Sequence, residues 1–157
     1  MSGPLQNQPS ADGEDIVSPG NLVRVADGDS IDIGRTRIRL FGIDAPELAQ
    51  QCGDATGRSY ACGQTAARAL EDLIRGKSVR CARHGIDQFD RVLAVCSAGD
   101  VELNAAMVEA GNAVAYREGT LAYVPAEGRA KAAKRGLWAG SFEMPRDFRR
   151  EAPRPRE

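Results

Sequence analysis

A chain of 157 residues that is 42% apolar, with a net charge of −1, fits one domain with a real core. The near-zero charge excludes a global basic field for gathering nucleic acid, so any such site is local. No apolar run is long enough to span a membrane. In chain order, residues 1–19 are polar, Gly/Pro/Ser-rich and without period, and are expected to be a disordered N-terminal segment. They have neither the basic start nor the apolar stretch of a signal peptide. From residue 22, LVRVA alternates apolar and polar residues as a half-buried strand does. DGD supplies turn chemistry, SIDI is a second short strand, and Gly34-Arg35 turns into a third, TRIRLFGI.

Residues 48–62 read as a loop. Gly63 to Arg75 has apolar residues at 66, 69, 70, 73 and 74, a helical spacing with Leu70, Leu73 and Ile74 as its core stripe, and Gly76 stops it. KSVRCAR and RVLAVCS are a fourth and a fifth strand, separated by the polar loop HGIDQFD. Leu103 to Ala110 is a second helix. Pro125 to Arg135 is a third, with proline where a first turn accepts it, and Trp138 is expected to pack nearby. The tail from residue 143 is Arg- and Pro-rich and is expected to fray. This inventory predicts an α+β domain over residues 20–142: a five-stranded oligonucleotide-binding (OB) barrel with three helices, of a kind that commonly binds nucleic acid or sugar chains.

The four cysteines allow three pairings. No C-x-x-C occurs and His84 is the sole histidine, so a structural zinc site has little support. Four buried thiols would suit a cytosolic protein. Two disulfides are favoured: Cys81 and Cys96 fall on strands expected to be neighbours, and Cys52 and Cys62 bracket one loop. Such cysteine usage predicts an exported protein, periplasmic or secreted.

The chemistry concentrates in two places. Asp29 lies in DGDS between the first two strands. RLFGIDAPE ends the third strand with Asp44 and Glu47 on either side of Ala45-Pro46. If the strands are neighbours, three carboxylates converge at one end of the sheet, as a hard cation such as Ca²⁺ requires. Pro46 lacks an N–H and pushes Ala45 toward an extended conformation, which can free the Ala45 carbonyl for a metal. Arg39 lies five residues before Asp44, and Arg91 begins the fifth strand. Arginine binds phosphate bidentately, and a phosphodiester under attack gains charge that fixed arginines and a metal stabilise. A spare carboxylate can orient or deprotonate the attacking water.

Across residues 21–138, VADGDSIDI, RIRLFGIDAPE, DQFDRVLAVC, LNAAMVEAGNAVAYREG and EGRAKAAKRGLW closely resemble the staphylococcal nuclease (thermonuclease) family. The D-G-D-[ST] and R-L-x-G-I-D-x-P-E elements in this order are highly specific. The resemblance implies an OB barrel with three helices and a Ca²⁺-dependent phosphodiesterase acting on DNA and RNA to leave 3′-phosphates. It assigns Asp29, Asp44 and the Ala45 carbonyl to Ca²⁺, Arg39 and Arg91 to phosphate, and Glu47 to water activation. Tyr116 and Tyr123 lie near positions where the family flanks the nucleotide with aromatics.

The chain also departs from the family. Ala45 replaces a threonine, Phe89 lacks the phenol of the usual tyrosine, and Asp90 replaces a glycine beside Arg91. Taken singly, each motif has a plain reading: a turn, a solvated arginine, a helix start. His84 reads as a loop residue, Lys131, Lys134 and Arg135 as a solvated face, and the C-terminal arginines as a polar tail. The rival reading is a non-catalytic OB module that binds nucleic acid, as degenerate copies of this domain do; such copies usually lose the acids or arginines kept here. A Ca²⁺-binding exported structural domain would explain the acids but not the arginines. The chain is taken as a monomer.

Overall fold

The computed structural model describes residues 13–151. Its first strand, β1 (Ile16–Pro19), lies inside the segment expected to be disordered, because it has a partner: β8 (Ser78–Ile86) pairs with it antiparallel, Ile16 opposite Cys81. The rest of that expectation, residues 1–12, falls outside the described residues. A 3₁₀ turn at Gly20–Leu22 then leads into β2 (Val23–Asp27), followed by β3 (Ser30–Ile33) and β4 (Thr36–Leu40). These three form the expected antiparallel run, with Ile31 opposite Ile38 and Ser30 opposite Arg39.

The main sheet runs in the order β1-β8-β9-β4-β3-β2, where β9 is Val92–Ala98. Strand β4 lies parallel to β9, Arg39 beside Leu93. The 3₁₀ turn carries the chain from the edge beside β8 to the edge beside β3, so three residues join the two margins of a curled sheet. This is the barrel-like α+β architecture the pattern predicts. Strand β8 is longer than expected, and it takes His84 out of the loop and stacks it on Phe41 with centroids 4.9 Å apart.

Short strands complete the scaffold. Strand β5 (Ile43–Asp44) pairs with β11 (Val114–Ala115), and β6 (Cys52–Gly53) pairs with β7 (Ser59–Tyr60); β10 (Val101–Glu102) pairs with β9. Helix α1 (Cys62–Ile74) buries Ala66, Leu70 and Ile74, one face at four-residue spacing, against the sheet. Leu73 packs at the margin of that core. Helix α2 (Leu103–Glu109) buries Leu103, Met107 and Val108, and α3 (Val124–Ala132) buries Ala126 and Ala130. Trp138 packs under the ammonium of Lys131, 4.9 Å from the ring centroid. A fourth helix, α4 (Pro145–Glu151), occupies the tail that was expected to fray.

Both expected disulfides are formed, Cys52–Cys62 and Cys81–Cys96. Cys81 and Cys96 face each other across β8 and β9, with both side chains wholly buried. Among the described residues, no helix is long and apolar enough to cross a membrane.

Candidate active site

The turn between β2 and β3 is built around Asp27, whose Oδ1 accepts the Asp29 N–H at 3.0 Å. Gly28 is needed between them: a Cβ there would stand 2.7 Å from the Cβ atoms of both Ala45 and Ala66. The turn is thus pressed against the loop after β5 and against α1, and Asp29 is buried at their junction, 3% exposed. Its Oδ2 accepts the Ala45 N–H at 2.8 Å, and the Ser30 hydroxyl donates to its Oδ1 at 3.3 Å.

Arg39 reaches the same point from β4, because its register opposite Ser30 sets it beside Asp29. Its Nη1 is 3.1 Å from Asp29 Oδ2, its Nη2 is 3.6 Å from Asp44 Oδ1, and Nη2 also donates to the Ile43 carbonyl at 3.3 Å. Burial pushes the Asp29 carboxyl up to about 6; Arg39 opposes this, and Asp27 adds to it. Burial also works against the Arg39 charge, but Asp29 and Asp44 outweigh it and hold the guanidinium firmly protonated.

Asp44 is carried by β5, where Val114 is its partner on β11. The chain enters β5 through Gly42, at a left-handed φ of 82° and covered by the Tyr123 ring, a position no larger residue fits. Two buried polar side chains fix this region. Asn104 donates to the carbonyls of Phe41 (2.9 Å) and Ala94 (3.1 Å) and accepts the Cys96 N–H (3.0 Å). Glu127 accepts the Ala115 N–H at 2.6 Å.

Glu47 follows two residues after Ala45. Its N–H donates to the side-chain oxygen of Gln50, which is buried and whose amide donates to the Glu143 carbonyl at 2.7 Å. Sequence reasoning missed Gln50, since nothing in LAQQCGD separates it from a loop residue. It also missed Arg149. From α4, Arg149 donates to both Asp44 oxygens, at 3.0 and 3.1 Å, and to Glu47 at 2.7 Å. Burial opposes its charge, but these bonds prevail and raise its pKa. The available signal was Pro145, which opens α4 at a permitted first-turn position.

The structure therefore brings Asp29, Arg39, Asp44, Ala45 and Glu47 together, and it adds Arg149. It does not bring Arg91 into ion-pair contact with these acids. Arg91 Nε donates to Asp87 Oδ2 at 2.7 Å, just before β9. Two residues before Leu93, the neighbour of Arg39, it extends the sheet face that carries Arg39. Burial of Asp87 is outweighed by N–H bonds from Arg91 and Phe89 and by the Arg91 charge, which lower its pKa. Phe89 is exposed, its ring centroid 5.3 Å from the Arg91 guanidinium carbon, and Asp90 sits at a left-handed φ of 63°. Tyr116 and Asp44 line one cleft of about 270 Å³, whose lining also includes Met144 and Pro145. Tyr123 is buried, with its hydroxyl donating to Glu102 at 2.7 Å, so it serves packing rather than a nucleotide.

Among the described residues no three acids, histidines or cysteines converge as a complete metal shell. Asp29 and Asp44 still fit a hard cation. Both are buried oxygen donors, and Asp29 lacks enough positive charge nearby to offset its burial.

A barrel-like α+β fold with buried acids and guanidiniums at one end of the sheet defines a class that the family comparison makes specific. The family described as staphylococcal nuclease homologue matches residues 37–140, more than half of the chain. The chain belongs to the staphylococcal nuclease family. It is 34% identical to the succinoglycan biosynthesis protein ExoI of Rhizobium meliloti, over 76% of this chain and 64% of that protein. It is 34% identical to an uncharacterized endonuclease of Haemophilus influenzae, over 83% of this chain and 72% of the relative. It is 36% identical to a micrococcal nuclease of Shigella flexneri, over 62% of this chain and 58% of the relative. The chain thus spans about two thirds of the length of such relatives.

Proposed function

We propose that this protein is a Ca²⁺-dependent endonuclease that hydrolyses the phosphodiester bonds of DNA and RNA to leave 3′-phosphates. The observation that carries the reading is the convergence of Arg39 on Asp29 and Asp44, with Glu47 on the same loop. Endonuclease relatives and the family match support nuclease chemistry.

Asp29, Asp44 and the Ala45 carbonyl would hold Ca²⁺. When bound, the ion supplies fixed positive charge against the developing charge on phosphate. Arg39, held within the cluster, donates to a phosphate oxygen and keeps its charge throughout. Arg91 offers a second fork on the same sheet face once it exchanges Asp87 for phosphate. Glu47, held through its backbone by Gln50, orients the attacking water and takes its proton. Phe89 and Tyr116 flank the nucleotide weakly, by apolar contact. The two disulfides support export to an oxidising compartment, periplasmic or extracellular, and the enzyme acts as a monomer.

The test is cleavage of single-stranded DNA and of RNA by the purified protein with Ca²⁺, with Zn²⁺ and with EGTA, with the product ends identified. Ca²⁺ is expected to support cleavage to 3′-phosphates, and Zn²⁺ is not. Full activity after exhaustive chelation rejects the metal assignment. DNA binding without cleavage under all conditions replaces the enzyme with the binding-module reading.

A further inference from the structure

Helix α4 takes no part in the chemistry proposed for the site, yet it delivers a guanidinium onto two of the site's acids. One guanidinium, Arg149, spans both oxygens of Asp44 and one of Glu47. A planar fork on a carboxylate uses the same lone pairs that a cation would use. Resting on the assignment of Asp44 to Ca²⁺ and of Glu47 to water, we propose that α4 is an internal occupant of the cation site. Arg149 competes with the divalent ion and silences Glu47 until the ion displaces it.

The way α4 is attached fits a part that moves. The segment before it is fixed: Ser141 exchanges two backbone hydrogen bonds with Gly53 (2.8 and 3.0 Å), and Gln50 holds the Glu143 carbonyl. Beyond that anchor the described part of the helix has seven residues, and a helix this short is marginal in isolation. Pro145 is its buried residue, and among the described residues its ion pair to the body apart from Arg149 is the exposed one between Arg146 and Glu118, at 3.3 Å. Asp147 and Arg150 pair with each other within the helix. Arg149 is thus the main charged hold of α4 on the body, and loss of that hold frees the helix while the Ser141–Glu143 anchor keeps it tethered. Arg149 also lies close enough to Arg39 to oppose its charge, so its departure relieves a repulsion at the phosphate site.

Calorimetry of Ca²⁺ binding to the full chain tests this, with Arg149→Gln and, as a control of equal charge change on the same helix, Arg146→Gln. Arg149→Gln is expected to bind Ca²⁺ about tenfold tighter or more, as two mutually exclusive occupants require, and Arg146→Gln to change affinity by less than about twofold. A second readout follows Arg149 itself. Phenylglyoxal labelling, located by tandem mass spectrometry, is expected to be slow at Arg149 without Ca²⁺ and fast with it. Arg150, whose side chain is 72% exposed against 32% for Arg149, should label quickly in both states. Equal Ca²⁺ affinities for wild type and Arg149→Gln, or labelling of Arg149 that saturating Ca²⁺ leaves unchanged, overturn the competition while leaving the metal reading in place. Absence of Ca²⁺ binding in every form overturns the metal reading and this inference together.

Discussion

Arg39 Nη1 lies 3.1 Å from Asp29 Oδ2, across strands whose register sets Arg39 opposite the residue after Asp29. The contact is shielded, since both side chains are largely buried, so its geometry matters more than that of a surface pair. Arg39→Lys keeps the charge but loses the fork. Cleavage and nucleotide affinity are both expected to fall, by roughly 10–150-fold for one charge-assisted hydrogen bond of about 1.5–3 kcal/mol. Single-turnover rates and inhibitor-nucleotide titration measure the two losses separately.

Glu47→Gln separates chemistry from binding. The amide keeps the size of the side chain and an oxygen acceptor for Arg149, but it cannot take a proton. Cleavage is expected to drop by a factor on the order of 10²–10⁴, with Ca²⁺ and nucleotide binding largely kept. A variant that cleaves like the parent shows that another group is the base.

Asp90 occupies a left-handed turn position beside Arg91, where glycine carries no penalty. Asp90→Gly removes that strain and one negative charge next to Arg91, the arginine proposed to bind phosphate. Single-stranded DNA is expected to bind more tightly, and stability to rise by up to about 1 kcal/mol. Unchanged affinity in a salt titration would mean that the Asp90 charge points away from the site.

Asn104 satisfies two carbonyls and one N–H where β4, β9 and α2 meet, and no water reaches that point to replace it, since the residue is 0% exposed. Asn104→Ala is expected to cost roughly 2–6 kcal/mol, because it orphans the Phe41 carbonyl and the Cys96 N–H at about 1–3 kcal/mol each, while the Ala94 carbonyl keeps the Phe41 N–H. It should also loosen the turn that aims Asp44. Urea unfolding monitored by Trp138 fluorescence gives the first quantity, and the Ca²⁺ affinity of the folded variant gives the second.

Loss of either disulfide is expected to cost on the order of 2–4 kcal/mol, but in different places. Cys81→Ala with Cys96→Ala removes a wholly buried link inside the main sheet and lowers global stability. Cys52→Ala with Cys62→Ala loosens the β6 segment that pairs with Ser141, and so frees the anchor of α4. Differential hydrogen exchange distinguishes the two, and four free thiols in protein made under oxidising conditions would refute both.

Much of this was legible in the sequence. The period-two pattern of β2 to β4, the helix stripe through Leu70 and Ile74, and the pairing of the four cysteines follow from local periodicity and neighbouring strands. The motif residues Asp29, Arg39, Asp44 and Glu47 converge because the β2–β3 turn, β4 and the segment that follows it are close in sequence and fold onto one another, which turn chemistry predicts. Residues whose roles depend on long-range contacts were not legible. Ile16 to Pro19 form a strand only because β8 offers an edge some sixty residues later in the chain. Gln50, Asn104 and Glu127 look like ordinary polar residues until burial forces them to pair. Arg149 sits in a tail whose composition resembles disorder, and only the acids 102 and 105 residues away give it a place.

The pairing of Asp44 with Val114, a partner seventy residues further along, has a consequence for when the site exists. A chain growing on the ribosome carries Asp29, Arg39, Asp44 and Glu47 early, but β9, Asn104 and β11, which aim them, are still to be made. Until β11 has emerged, the acids are attached to an unpaired segment and nothing sets their spacing. The newborn chain therefore carries the site residues without the site. Topology alone thus delays the assembly of the site until late in synthesis.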